Sequence, residues 1–218
     1  MPAIVGEDRI ARRPPRRSKG SVRMSLPDPL VVGREGELAR LGRLLQRDRL
    51  RRGVVVTGAA GIGRTTVWDA GLAMAGRRGL RVLAARPAEG EPKRSFAALI
   101  DLCDRVGRGA LAGLPRPQRC ALEVTLLRVE TTGESLGPSA VSVAFVSLLR
   151  ELAAESPLLI AIDDVQWLDA PSAQALVQAA RRLEHEPIGF LLARSGAAQS
   201  DLERLLAQRG AERIALGP

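Results

Sequence analysis

The sequence predicts an α/β domain in three layers, with a mostly parallel five-stranded sheet between two layers of helices. Five short apolar runs have the length of buried strands, and they lie at residues 54–57, 81–85, 158–162, 188–192 and 213–216. Segments with the apolar spacing of a helix separate them, most clearly at residues 141–152. Because strands that alternate with helices pair in parallel, helices are expected on both faces of the sheet.

Length and composition are typical of one globular domain with a tail. The chain has 218 residues, of which 45% are hydrophobic. No apolar run approaches the roughly 18 residues of a membrane span, and no signal-peptide core follows the basic N-terminus, so we expect a cytoplasmic protein without a membrane partner. With one histidine and two distant cysteines, Cys103 and Cys120, a zinc site or disulfide has little basis. Both thiols are expected to be buried.

The net charge of +9 is concentrated near the N-terminus. Residues 1–23 contain seven basic and two acidic side chains, and residues 1–29 contain five prolines and few apolar residues. We therefore predict a disordered basic tail at residues 1–29 and a folded domain at residues 30–218. Binding of nucleic acid through this tail remains an alternative, and Met24 is an alternative start of translation.

A glycine-rich turn follows the first predicted strand and matches the phosphate-binding loop G-x-x-x-x-G-K-[ST] at every place but one. It comprises Gly58, Ala59, Ala60, Gly61, Ile62, Gly63, Arg64, Thr65 and Thr66. In such a loop the backbone N–H groups and the following helix N-terminus face phosphate oxygens, and the Thr65 hydroxyl is expected on Mg²⁺. Arg64 replaces the lysine. Since arginine keeps the charge but not the geometry, we predict nucleotide binding with weak or absent hydrolysis.

Two acidic residues end the most apolar strand. Asp163 is expected to hold Mg²⁺, directly or through water, and Asp164 occupies the place of a general base or water-orienting acid. Aspartate is one methylene shorter than the glutamate that many related sites use, which again favours slow turnover. Arg194 follows the strand at residues 188–192, at the sheet edge where ligands bind, and is a candidate sensor of the γ-phosphate.

Together with Val32-Gly33-Arg34-Glu35 and the string Asp-Asp-Val-Gln-Trp-Leu-Asp at residues 163–169, these motifs resemble one family. They are similar to the AAA-type ATPase domain at the head of large LuxR-type transcriptional regulators, within the STAND class of P-loop NTPases. The resemblance covers residues 30–218. It implies that Val32, Gly33, Arg34 and Glu35 lie on the adenine side of ATP. It also implies the additional-strand order, in which another strand separates the strand before Asp163 from the strand before the loop.

The resemblance further implies that ATP acts as a conformational switch and that the protein self-associates when activated. The helical lid and DNA-binding helix-turn-helix of this family would begin near residue 218, so we expect a fragment of a larger regulator or a degenerate stand-alone version. DNA binding would require the helix-turn-helix that this chain lacks. Two alternatives stay open. One is an active ATPase completed by a partner, and the other is a nucleotide-free pseudo-NTPase that serves as an interaction module.

Overall fold

The computed structural model describes residues 33–89, 95–127 and 137–217. Its strands are β1 (Val54–Thr57), β2 (Arg81–Ala85), β3 (Leu158–Ile162), β4 (Ile188–Arg194) and β5 (Glu212–Ala215). Its helices are α1 (Glu35–Leu44), α2 (Arg64–Arg77), α3 (Ala97–Cys103), α4 (Arg108–Ala112), α5 (Arg116–Thr125), α6 (Pro138–Glu155), α7 (Ala170–Arg182) and α8 (Asp201–Gln208). The predicted tail, residues 1–29, and Val32 lie outside the described residues.

The strands form one sheet in the order β2-β3-β4-β1-β5, and every neighbouring pair is parallel. The predicted α/β class is therefore confirmed, and the sheet is fully rather than mostly parallel. Strand β4 lies between β1 and β3, as the additional-strand order requires. The loop after β1 and the acids after β3 are thus two strand spacings apart, about 10 Å, at the carboxyl edge of the sheet.

Alternation along the strands divides the core into two layers. Strand β3 is wholly buried, with Leu158, Ile160 and Ile162 in one hydrophobic cluster and Leu159 and Ala161 in the other. The first cluster is completed by side chains of α3, α5, α6, α7 and α8, and the second by side chains of α1 and α2. A central parallel strand covered on both faces must be apolar throughout, which explains its continuous apolar sequence.

Two glycines set the close approach of neighbouring elements to β4. A Cβ atom on Gly71 of α2 would lie 2.7 Å from Leu191 Cδ2, and one on Gly189 would lie 2.5 Å from the Leu50 carbonyl oxygen. Both contacts are shorter than van der Waals distance. At Gly189 the obstacle is backbone, so only glycine fits, whereas at Gly71 the Leu191 side chain would have to shift. Since α2 begins at the glycine-rich loop, the packing at Gly71 fixes where that loop stands relative to the sheet.

The structure departs from the sequence expectations in a few places. The short helix α4 was not predicted from the sequence. Strand β4 continues two residues beyond the apolar run, to Arg194. Cys103 is buried as expected, but the expectation for Cys120 is wrong, because it lies on the exposed face of the amphipathic helix α5. None of the helices within the described ranges is long and apolar enough to cross a membrane.

Candidate functional site

The glycine-rich loop has the backbone conformation that its glycines permit. Gly61 and Gly63 have positive φ angles of 76° and 95°, and Gly63 directly precedes α2. A Cβ atom on Gly58 would lie 2.7 Å from Ile62 Cγ2, so the loop closes tightly on itself. No side chain caps α2, and the first N–H groups of such a helix are available as donors to an anion.

Arg64 occupies the centre of this loop. Its side chain is only 9% exposed, and its Nη1 donates to the carbonyl oxygens of Gly58 at 2.8 Å and Ala59 at 2.7 Å. Its Nη2 donates to Asp164 Oδ1 at 3.1 Å. Its Nε is buried without a hydrogen-bond partner. The structure therefore brings the predicted loop cation into contact with the predicted acid across strand β4.

Asp163 and Thr65 form the second contact between the loop and β3. The Thr65 hydroxyl donates to the Asp163 carboxylate, which is 5% exposed. Burial raises the pKa of Asp163, and the Asp164 charge adds to this, while the Thr65 hydrogen bond and the Arg86 charge oppose it. A buried carboxylate whose charge is incompletely compensated, next to a hydroxyl, is a donor set that suits Mg²⁺.

Metal ions differ in how many protein ligands they need. Across residues 33–89, 95–127 and 137–217 no group of three or more His, Cys, Asp or Glu side chains could hold a metal ion. Zinc usually requires three or four protein ligands, whereas Mg²⁺ is commonly held by one or two, with water and phosphate oxygens completing its shell. The Thr65–Asp163 pair therefore fits the magnesium prediction.

Asp164 lies in a hydrogen-bond network that extends to the end of β4. Its backbone has φ 50° and ψ 55°, a left-handed conformation that non-glycine residues seldom adopt. Besides Arg64, its Oδ1 accepts a bond from Gln166 Nε2 at 2.9 Å. Gln166 Nε2 also donates to Ser195 Oγ at 2.7 Å, and Gln166 Oε1 accepts from the Ser195 N–H at 3.3 Å. Sequence reasoning did not select Gln166 or Ser195, although Gln166 stands within the motif and Ser195 directly follows Arg194.

Arg194 ends β4, as expected, and its side chain is engaged by the fold. Its guanidinium is buried, with Nε donating to Glu203 Oε1 of α8 at 2.7 Å and Nη1 to the Gly196 carbonyl oxygen. Both partners of the ion pair are 3% exposed. These contacts tie β4 to α8, and it is Ser195 that reaches the Asp164 network. A γ-phosphate contact of Arg194 stays a prediction without support from its contacts.

Arg34 connects the start of the domain to the loop. Its Nη2 donates to the Ile62 carbonyl oxygen at 3.2 Å and to the Gly217 carbonyl oxygen at 2.7 Å, while Nη1 pairs with Glu37. Glu35 Oε1 accepts from the Gly33 N–H, and backbone N–H groups lower its pKa. The described part of the Val32–Glu35 motif therefore lies beside the loop. Its placement on the adenine side stays a prediction.

Asp169 shows that part of the same motif is structural. Its Oδ1 accepts from Ser172 N at 2.9 Å, which caps α7, and from Phe96 N at 2.8 Å. Its Oδ2 accepts from Ala98 N at 3.2 Å, in the first turn of α3. Ser172 Oγ accepts from Leu99 N. One carboxylate therefore serves the N-termini of two helices, which fixes α3 against α7.

Comparison with known proteins agrees with this geometry. The family described as the AAA ATPase domain matches residues 30–192. AMPPCP-bound DnaA from Aquifex aeolicus is similar in structure, with a TM-score of 0.50 and 19% identity over 88% of this chain and 51% of DnaA. A chain of the HORMA:CdnC:Trip13 complex from E. coli MS115-1 gives 0.49 and 15% identity over 85% of this chain and 63% of that chain.

The likeness to DnaA, at 19% identity, shows the fold alone, and this chain spans about half the length of DnaA. No curated protein matches the chain in sequence. The family match covers most of the chain, including the loop, Asp163 and Asp164, and nucleotide binding is the property that it suggests. The chain belongs to the AAA ATPase domain family.

Proposed function

We propose that this chain is a Mg·ATP-binding regulatory module with weak or absent hydrolysis. The observation that carries the proposal is the position of Arg64, inside the curl of the loop and bonded to Asp164. A cation held there attracts phosphate, while its pairing with Asp164 opposes the chemistry that would follow.

Phosphate binding is supported by the donors gathered at the loop. The N-terminus of α2 carries N–H groups without a side-chain cap, and a helix N-terminus favours an anion. Arg64 offers a guanidinium, a group that binds phosphate strongly, and its Nε has no partner that it would have to give up. Phosphate oxygens can replace the carbonyl oxygens of Gly58 and Ala59 as acceptors for Nη1.

Mg²⁺ would be held by Thr65 and Asp163, and when bound it would neutralise the charge of the phosphates. These two residues already contact each other through the Thr65 hydroxyl. The raised pKa of Asp163 reflects a burial cost that a bound cation would offset.

Weak hydrolysis is proposed from the partners of Asp164. A water-orienting acid must turn a carboxylate oxygen toward the water molecule, yet the Asp164 carboxylate is held through Oδ1 by Arg64 and Gln166. Phosphoryl transfer depends mainly on positioning and charge placement. A guanidinium that binds both phosphate and Asp164 cannot direct its whole charge at the phosphoryl group that is transferred.

The regulatory part of the proposal rests on the resemblance to LuxR-type regulators of the STAND class. It is carried by the Val32–Glu35 motif and the string at residues 163–169, and it favours adenine as the base, ATP as a conformational switch, self-association and a cytoplasmic location. DNA binding is proposed only for a helix-turn-helix outside residues 1–218. The second candidate is a nucleotide-free pseudo-NTPase that serves as an interaction module. It is favoured by the fact that both Arg64 Nη atoms already donate to protein oxygens.

Calorimetric titration with ATP, with and without Mg²⁺, tests the proposal. The native chain should bind Mg·ATP, and Asp163→Ala should weaken binding and remove its dependence on Mg²⁺. Asp48→Ala, at an exposed acid in the turn after α1, is the matched control and should change neither. Phosphate release should be negligible for the native chain and should rise in Arg64→Lys. Absence of binding at millimolar ATP would leave the pseudo-NTPase reading.

A further inference from the structure

We propose that Gln166 is a positioning residue of the nucleotide site, which holds Asp164 from the end of β4 and so limits how strongly Asp164 retains Arg64. The inference rests on the proposed nucleotide-binding function and concerns the regulation of that site. It is carried by the three hydrogen bonds of the Gln166 amide and by the shared acceptor, Asp164 Oδ1.

The orientation of the Gln166 amide is fixed by its partners. Both Nε2 hydrogens are used, one on Asp164 Oδ1 at 2.9 Å and one on Ser195 Oγ at 2.7 Å, and Oε1 accepts from the Ser195 N–H at 3.3 Å. A flipped amide would set Oε1 against the Asp164 carboxylate and Nε2 against the Ser195 N–H, which pairs two acceptors and two donors. Ser195 therefore selects the orientation that presents a donor to Asp164.

Asp164 depends on such contacts because its backbone is strained. A left-handed conformation is unfavourable for a residue with a Cβ atom and persists where neighbouring bonds determine it. The bonds here are from Asp164 N to Asp163 Oδ1 at 3.1 Å, from Trp167 N to the Asp164 carbonyl oxygen at 2.9 Å, and those to Oδ1. Of the two side-chain donors to Oδ1, Arg64 is held by the loop, whereas Gln166 is held by Ser195, which lies outside both the loop and this turn.

Gln166 and Arg64 compete for one oxygen. Arg64 Nη2 donates to Asp164 Oδ1 at 3.1 Å and Gln166 Nε2 at 2.9 Å. Without Gln166 the carboxylate keeps the guanidinium as its remaining side-chain partner and can turn fully toward it. Since phosphate must draw Arg64 away from its protein acceptors, a tighter Arg64–Asp164 pair lowers nucleotide affinity. Gln166 therefore acts on nucleotide binding through Asp164.

The test is a double-mutant cycle read by calorimetry with Mg·ATP. Gln166→Ala should weaken binding about five- to tenfold, the effect of one typical hydrogen bond. In an Asp164→Ala background the same change should alter affinity less than twofold, because the competing carboxylate is gone. Gln166→Glu, which has the same shape but cannot donate, should weaken binding at least as much as Gln166→Ala. Gln174→Ala, at an exposed glutamine on α7, is the control and should have no effect.

Equal losses in both backgrounds, or no loss in Gln166→Ala, would overturn the proposal. Ser195→Ala provides a second perturbation that leaves Gln166 in place, and it should weaken binding in the same direction. If the native chain binds no nucleotide, the proposed function fails while the positioning remains testable. Thermal unfolding should then show that the Tm losses of Gln166→Ala and Asp164→Ala do not add, and additive losses would refute the coupling.

Discussion

Replacement of Asp169 should destabilise the fold without touching the nucleotide site. Asp169→Ala removes the α7 cap, which costs about 1 kcal/mol, and takes a charged acceptor from the N–H groups of Phe96 and Ala98. Each of those losses costs a further ~1–1.5 kcal/mol in a half-buried place that water partly reaches. The expected total is about 3–4 kcal/mol, a large share of the 5–15 kcal/mol typical of a domain.

Urea unfolding followed by circular dichroism measures this loss. Asp169→Asn keeps an acceptor oxygen for Ser172 and should lose only about 1–2 kcal/mol. Asp48→Ala, at an exposed acid whose ion pair with Arg49 spans 4.0 Å, is the control and should change stability by less than ~0.5 kcal/mol. A loss in Asp169→Ala no larger than in this control would refute the assignment of Asp169 as a shared cap for α3 and α7. Changed Mg·ATP affinity in Asp169→Asn would contradict its purely structural role.

Three further predictions concern buried groups. Burial raises the pKa of Asp163 above 3.8, so its stabilising contribution is present below that value and is lost as pH rises through the folded-state pKa. Asp163→Asn should therefore unfold at higher urea than the native chain at pH 7, and equal midpoints there would contradict this. Glu203→Ala should cost about 3–5 kcal/mol, because it leaves Arg194 buried without its counter-charge, and a loss below ~1 kcal/mol would show that the pair is dispensable. Gly189→Ala should cost at least ~2 kcal/mol, since its Cβ would meet a backbone oxygen, whereas Gly36→Ala, with open space around it, should be neutral or stabilising.

The sequence predicted the sheet well because central parallel strands have a local signature. Strands β1, β2 and β3 begin and end where the predicted runs do, and β3, which is buried at every position, is apolar throughout. The loop was equally predictable, because its left-handed positions and tight closure require glycine at fixed spacing. Helix α4 was missed since its five residues are too few to show a helical period.

The side-chain partners within the site could not be predicted from local pattern. Gln166 and Ser195 are 29 positions apart, and Arg64 and Asp164 are 100 apart, so each pair meets only through the sheet order. The sequence placed Arg194 correctly at the carboxyl end of β4, but it did not predict that Glu203 of α8 would be its buried partner. Sequence motifs thus located the residues at the site, whereas the direction of each side chain depended on packing.

The two tryptophans give the protein its own optical reporters. With no tyrosine in the chain, near-ultraviolet emission comes from Trp68 and Trp167 alone. Trp68 is fully buried on α2, one turn beyond the loop, with the Arg86 guanidinium 4.9 Å from its ring, whereas Trp167 is 42% exposed three residues after Asp164. A soluble quencher should reach only Trp167. The emission that remains with the quencher present comes from Trp68 and reports on the loop side of the site. The emission that the quencher removes comes from Trp167 and reports on the side that carries Asp163 and Asp164. One unlabelled sample can therefore distinguish movement of either side.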